Sequence, residues 1–208
     1  MKRPCSSILL VAALAVLASS ACGGAVRSSA ELQALAARNR QPHTAADVRF
    51  MTAMIPHHAQ AVLFAGWAES HGASRAVQVF CARMVVAQSD EIVTMRSWLG
   101  VRGEPVPAAA YQRAATATSS EPGTMMPGML TEQQLAELDG AHGADFDRLF
   151  LEYMIPHHEG ALSMVDVLFT SYGGAQNDFV FKLASDIYAD QEIEIERMHL
   201  LLAAYPNL

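Results

Sequence analysis

The five-residue string MIPHH occurs twice in this chain, at residues 54–58 and 154–158. Each copy places a methionine three residues before two adjacent histidines, so one thioether and two imidazoles recur in the same setting. Thioether sulfur and imidazole nitrogen bind soft or borderline metal ions. The repeated string therefore predicts a metal site, and its candidate ligands are Met54, His57, His58, Met154, His157 and His158.

A second block, with the pattern Gln-x-x-Glu-Ile-x-x-Met, follows each copy. It lies at Gln88, Glu91 and Met95 in the first repeat and at Gln191, Glu194 and Met198 in the second. Steps of three and four residues put these side chains on one face of a helix. The glutamates and methionines of both blocks are therefore further candidate ligands. The glutamines need partners, because an unpaired buried amide costs about 1–3 kcal/mol, and we expect the facing histidines to provide them.

The elements that carry these residues are predicted to be helices. Apolar or candidate-site residues recur in steps of three and four over residues 50–68, 81–99, 150–168 and 184–202, which is the period of an amphipathic helix. Glycines at residues 72, 173 and 174 favour a turn inside each pair. The predicted fold is all-α, a four-helix bundle built from two repeated helical hairpins.

The N-terminus has the features of an export signal. A basic start precedes an apolar run from Ile8 to Ala18, which is too short for a mature membrane helix of about 20 residues, so we predict a signal peptide over 1–21. Cys22 follows small residues, which indicates lipoprotein processing and a lipid anchor at Cys22 on the outer face of the cell membrane. Ser19 stands where lipoprotein signals usually have an aliphatic residue, so ordinary cleavage and secretion remain the alternative.

Composition and capping patterns suggest the domain limits. Residues 22–43 are predicted to be a flexible tether, and residues 44–205 a single domain. Within it, repeat one covers 44–100, the linker 101–130 and repeat two 131–205. A Thr-x-x-Asp string at the start of repeat one and a Thr-x-x-Gln string at the start of repeat two each predict a capping box.

The linker contains three methionines, at Met125, Met126 and Met129. They could capture copper on a flexible segment, or they could belong to a hydrophobic flap laid over the bundle. The sequence does not separate these two readings. Three other histidines, His43, His71 and His142, lie in predicted loops or turns and are predicted to have no specific role.

Charge and cysteine usage exclude some classes of protein. The net charge of −7 argues against a nucleic-acid partner, since an acidic surface repels phosphate. With three cysteines in the whole chain, two of which lie in or beside the signal peptide, no disulfide framework is predicted. An enzyme is also disfavoured, because no nucleophile, base and orienting group are recognisable together.

A structural explanation competes with metal binding. Histidine, glutamine and glutamate could form a buried hydrogen-bond network that fixes helix register, with methionine filling the core. Two adjacent histidines preceded by methionine in both repeats favour metal. Soft ligands and the lack of site cysteines favour Cu(I), or Ag(I) adventitiously, over zinc. The zincin pattern is broken at Leu162, and a Glu-x-x-His motif of the di-iron type occurs only at Glu196 and His199.

A resemblance to a known family rests on both MIPHH copies, on the stretch FDRLFLEYMIPHHEGALSM and on the two glutamine-containing blocks. With them the chain resembles the bacterial family known as domain of unknown function 305 over nearly everything from Thr44 to Leu202. The resemblance implies a ferritin-like four-helix bundle, export to the cell envelope and, for some members, copper binding and copper tolerance through histidine and methionine. The methionine and histidines of both MIPHH copies match the motif.

The first repeat departs from the family pattern at two places. Phe64 stands where the second repeat has Met164, and the pair Ala59 and Gln60 replaces a Glu-Gly pair. We expect the first half of the site to be remodelled as a result.

The leading hypothesis is a non-enzymatic copper-binding lipoprotein that sequesters or hands on metal outside the cytoplasm. The runner-up is a structural or interaction module that forms homo-oligomers through its helices. The shared phase of the repeats predicts a pseudo-two-fold axis that brings His57 and His157 into one interior. If neutral imidazoles bind the metal, affinity should fall as the pH drops through about 6.5.

Overall fold

The computed structural model describes residues 41–111 and 126–205, and all regular structure in these two stretches is helical. The helices are α1 at Ala45–Ala65, α2 at Arg75–Gly100, α3 at Glu132–Gly140, α4 at Ala144–Thr170 and α5 at Asp178–Leu202. The all-α prediction is confirmed, with α3 as a short helix that precedes the second hairpin. The predicted signal peptide, Cys22, residues 22–40 of the tether and Met125 lie outside the described residues. None of the described helices is long and apolar enough to cross a membrane.

Capping boxes begin α1 and α3, as their sequences predict. The Asp47 amide donates to the Thr44 hydroxyl at 3.4 Å, and the Thr44 amide donates to the Asp47 carboxylate at 2.9 Å. Thr131 and Gln134 make the same reciprocal pair at the start of α3. These bonds satisfy amides that have no partner inside the helix.

Two buried aspartates fasten the hairpins to each other. Asp47, near the start of α1, accepts a hydrogen bond of 2.8 Å from the Ala175 amide in the turn before α5. Asp147, its repeat-related counterpart on α4, accepts from the Ser74 amide at 3.1 Å. The Tyr205 hydroxyl also donates to Asp147. Since a buried carboxylate is costly without such donors, each repeat's first helix holds the turn of the other repeat.

The core consists of two apolar clusters, and each draws on both hairpins. One cluster packs Met54 and Met95 against Ala161 of α4, and the other packs Met154 with Ala61 of α1. Helices α1 and α4 pack directly against each other. Because alanines stand at the repeat-related positions 61 and 161, these two helices approach closely, and the MIPHH copies they carry lie at the bundle centre.

His71 has a structural role that its sequence context did not reveal. Its ring nitrogens lie 3.0 Å from the carbonyl oxygens of Trp67 and Asp139, and the ring stacks on His142. The turn after α1 is thereby joined to the end of α3. The prediction of no specific role for His71 is wrong, because the tertiary fold places its Nε2 at the Asp139 carbonyl, 68 residues away in the chain.

The aspartate bridges generate a stability prediction. Asp147→Ala should lower the free energy of unfolding by about 1–3 kcal/mol, because it leaves the partly buried Ser74 amide without its acceptor. Asp145→Ala is the matched control, since Asp145 is exposed in the same first turn of α4. Urea denaturation of the two variants measures the difference. Equal stabilities would show that the bridge does not hold the hairpins together.

Candidate metal centre

The two inner histidines meet in the bundle interior. The ring centroids of His57 and His157 are 4.0 Å apart, and each ring is at most 1% exposed. In each repeat the outer histidine, His58 or His158, lies 6.4 Å from its inner neighbour. The contact between His57 and His157 confirms the prediction that both copies share one interior.

The outer histidines contact the glutamates of the second block. Nε2 of His158 lies 2.7 Å from Oε2 of Glu194, in hydrogen-bond alignment. Nε2 of His58 lies at the same distance from Oε2 of Glu91, close enough for an ion pair but without that alignment. The two carboxylates are 17% and 22% exposed. Each outer imidazole is therefore held by a carboxylate on the other helix of its own hairpin.

His57 is held by a backbone carbonyl instead. Its Nε2 lies 3.0 Å from the oxygen of Pro127, which can only accept, so Nε2 carries the proton and the neutral ring has its lone pair on Nδ1. In a neutral His58 or His158, the carboxylate beside Nε2 likewise favours the proton on Nε2 and the lone pair on Nδ1. The Nδ1 atoms of these three histidines are buried, and no described residue hydrogen-bonds to them. Metal-binding histidines typically combine an oxygen acceptor on one nitrogen with a free lone pair on the other.

Further polar atoms in the same interior lack partners. Nε2 of His157, both amide atoms of Gln88 and Oε1 of Gln191 are buried without a hydrogen bond to any part of the chain that the structure describes. The prediction that the facing histidines satisfy these glutamines is wrong. His57 and His158 donate their single N–H to Pro127 and Glu194, so these two rings do not donate to the glutamine oxygens. The centre therefore contains unmet donors and acceptors, each costing about 1–3 kcal/mol.

Thioethers flank this polar interior. Met54 and Met95 belong to one apolar cluster and Met154 and Met198 to the other, all four at 0% exposure. Within residues 41–111 and 126–205, no three side chains of His, Cys, Asp or Glu are arranged to hold a metal ion. The nearby Cys81 is disfavoured as a thiolate ligand, because burial raises its pKa.

Burial keeps the inner histidines neutral. Desolvation lowers the pKa of His57 to about 3, with a smaller contribution from the neighbouring His58, and the hydrogen bond to Pro127 only partly opposes this. Desolvation and the proximity of His57 likewise lower the pKa of His157 well below its usual value. The pKa of both rings thus lies well below the value of about 6.5 used in the sequence-based prediction, and the dependence of metal affinity on pH stays a prediction.

Residues Met126–Leu130, which we name the cap segment, cover the histidine pair. Gln60 donates from Nε2 to the Leu130 carbonyl at 3.0 Å and accepts from the Leu130 amide at 2.8 Å. On the other side, a Cβ atom at Gly160 would clash with the Pro127 carbonyl. The departure of the first repeat at Gln60 thus has a physical reason. The cap segment lies across α1 and α4. Gln60 on α1 hydrogen-bonds to it, and Gly160 on α4 leaves space for its backbone.

The methionines of the linker take different positions. Met129 is 9% exposed and packed into the fold, which fits the flap interpretation for this residue. Met126 and Met164 line a pocket of about 290 Å³ between α1 and α4. Phe64, which replaces the second methionine in the first repeat, instead packs edge-on against His157 with ring centroids 5.7 Å apart. The aromatic ring that distinguishes the first repeat at this position therefore contacts the inner histidine of the second repeat.

Comparison with known proteins gives consistent relatives. The model of the family described as domain of unknown function (DUF305) matches residues 47–202. A DUF305 protein from Streptomyces coelicolor, for which secretion has been suggested, is 25% identical with a TM-score of 0.65, covering 76% of this chain and 93% of that one. A DUF305 fragment from Deinococcus radiodurans is 28% identical with a TM-score of 0.64, covering 79% and 99%.

CopM in its Cu(II)-bound form is also similar, with 26% identity, a TM-score of 0.60 and coverage of 76% of this chain and 97% of CopM. Its Cu(I)-bound and silver-bound forms match as well. A comparison with curated proteins gives no significant match. The relatives therefore support the fold over most of the chain and include a protein observed with copper.

The buried histidines predict how stability depends on pH. Between about pH 6.5 and about pH 3, the unfolded chain protonates His57 while the folded protein does not. The unfolded state then binds more protons, so stability falls as the pH falls, by about 1.4 kcal/mol per pH unit for each such histidine. Urea denaturation at neutral and mildly acidic pH should show a steeper loss for the wild type than for His57→Gln/His157→Gln. Equal slopes would contradict buried neutral rings.

Proposed function

This chain belongs to the DUF305 family, and we propose that it is a copper-binding protein of the cell envelope that sequesters Cu(I) or hands it on. One observation carries the proposal. Buried imidazole nitrogens without partners among the described residues lie where His57 meets His157, and the thioethers one helical turn before the inner histidines are fully buried. A water-poor interior with unmet lone pairs and soft sulfur suits a soft cation.

The residues fall into two roles. The proposed ligands are the imidazoles and thioethers, because they offer lone pairs without a formal charge. They are Met54, His57, His58, Met95, Met154, His157, His158 and Met198. Glu91 and Glu194, also candidate ligands by sequence, are assigned to orienting His58 and His158, because their carboxylates already contact Nε2. Such outer acceptors fix the tautomer and raise the basicity of a metal-binding histidine.

The choice of metal follows from the donor set. Zinc sites usually collect four ligands from cysteine, histidine and carboxylate, whereas here no three such side chains come together in the described part of the chain. Nitrogen with thioether sulfur suits Cu(I). The similarity to CopM, which has been observed with copper and silver, supports the same choice.

The cellular location is proposed from the N-terminal sequence. A signal peptide over residues 1–21 would export the chain, and acylation of Cys22 would anchor it to the outer face of the membrane. Residues 22–43 would then form the tether. Without acylation the protein would be secreted.

A polar structural core is the alternative function of these residues. It is favoured by the His58–Glu91 and His158–Glu194 pairs, which would fix helix register without metal. It does not account for Gln88, whose amide atoms are buried with no bond to a described residue. A network selected for structure alone would be expected to satisfy that amide.

Substitution of the histidines separates the two functions. Replacing His57, His58, His157 and His158 by glutamine should abolish tight Cu(I) binding in a competition titration while the helical circular dichroism persists, because glutamine retains some hydrogen-bonding capacity. His199→Gln is the matched control, since His199 is exposed on α5. This control should bind Cu(I) like the wild type.

Thermal melts complete this test. Free Cu(I) at about 100 times the dissociation constant should stabilise the wild type by about 2.7 kcal/mol and leave the quadruple variant unchanged. A metal-free quadruple variant that is less stable than the wild type but takes up copper equally well would favour the structural alternative.

A further inference from the structure

Gln60 occupies an unusual position beside the candidate centre. It is fully buried on α1, three residues after His57. Its side-chain amide bonds both the carbonyl and the amide of Leu130, at 3.0 and 2.8 Å. The repeat-related residue is Gly160, which has no side chain to do the same. The clamp on the cap segment therefore exists only in the first repeat.

The cap segment is confined from the α4 side as well. Gly128 has a positive φ of 76°, and a Cβ atom built there would lie 2.8 Å from Cα of His157. At Gly160 a Cβ atom would meet the Pro127 carbonyl. The backbone of the segment thus rests directly on the backbone of α4. With Gln60 holding Leu130 from α1, the position of the Pro127 carbonyl is determined from both sides.

That carbonyl decides which nitrogen of His57 is free. A carbonyl oxygen only accepts, so the 3.0 Å contact requires the proton on Nε2. In a neutral ring the lone pair is then on Nδ1, which is buried and unpartnered among the described residues. At His157 it is Nε2 that has no partner within the described chain. The two inner histidines therefore offer unlike nitrogen atoms despite their pseudo-symmetry.

We propose that Gln60 is a positioning residue for the metal centre, which acts through Leu130 and Pro127 to fix His57 as the Nε2–H tautomer and to present Nδ1 to the ion. This inference rests on the proposed copper binding by the histidines. It adds a tautomer selection that is visible in the metal-free protein. It also makes the two repeats inequivalent, because the unpartnered nitrogen is Nδ1 at His57 and Nε2 at His157.

The first experiment observes the tautomer directly. Long-range ¹H–¹⁵N NMR of the metal-free protein should show the proton of His57 on Nε2. In Gln60→Leu, which fills the space but makes neither hydrogen bond, the His57 signals should move toward a mixture of tautomers. Cu(I) affinity should also fall by about 10- to 100-fold, the usual effect of removing an outer-sphere partner. Gln78→Leu is the matched control, because it removes one side-chain bond to the Ala73 carbonyl, at the start of α2.

A second variant displaces the cap segment without altering Gln60. Gly160→Ala should push the Pro127 carbonyl away from His57 and produce the same two changes. If His57 of the wild type carries its proton on Nδ1, or if both variants keep the wild-type tautomer and affinity, the inference is overturned. Failure of the wild type itself to bind Cu(I) would overturn the proposed function and the metal role of Gln60 together. Loss of binding in the histidine variants, with full affinity in Gln60→Leu and Gly160→Ala, would overturn the inference alone.

Discussion

The burial of four imidazoles between two closely packed helices is the constraint on which the rest of the structure depends. Each ring brings polar nitrogen atoms into a core that excludes water, where an unmet group costs about 1–3 kcal/mol. Glu194 and Glu91 reach across each hairpin to the outer rings, and the Pro127 carbonyl reaches His57. These acceptors face one nitrogen of His57, His58 and His158. Nδ1 of those three rings and Nε2 of His157 remain unmet by the described residues, and this residual cost is what a bound ion would remove.

The cap segment contacts α1 and α4 in different ways, and this explains why the two repeats differ at Gln60 and Gly160. A single cap segment has to close the axis between α1 and α4, so it cannot treat the two helices alike. Gln60 clamps it on α1, whereas Gly160 on α4 leaves room for its backbone. The aspartates at the bundle end show no such difference. Asp47 and Asp147 accordingly keep equivalent roles, each holding the turn of the opposite hairpin.

Much of this architecture could be predicted from the sequence because it depends on local periodicity. Steps of three and four residues predict the helices, and two matched MIPHH copies predict that His57 meets His157. Contacts between segments distant in the chain were less accessible. Nothing local to His57 indicates that a carbonyl 70 residues away accepts its proton. The difference at Gln60 was visible as a departure between repeats, but its meaning depended on the path of the cap segment. The pKa of about 6.5 used for His57 was too high, because the pKa of an exposed imidazole does not include the cost of charging a buried ring.

We propose that the buried imidazole nitrogens and thioether sulfurs together bind Cu(I). X-ray absorption spectroscopy at the copper edge of the Cu(I)-loaded protein measures that donor set most directly. We expect a Cu(I) edge with both nitrogen and sulfur scatterers bound directly to the copper. A first shell of sulfur alone, or of nitrogen and oxygen without sulfur, would contradict this proposal.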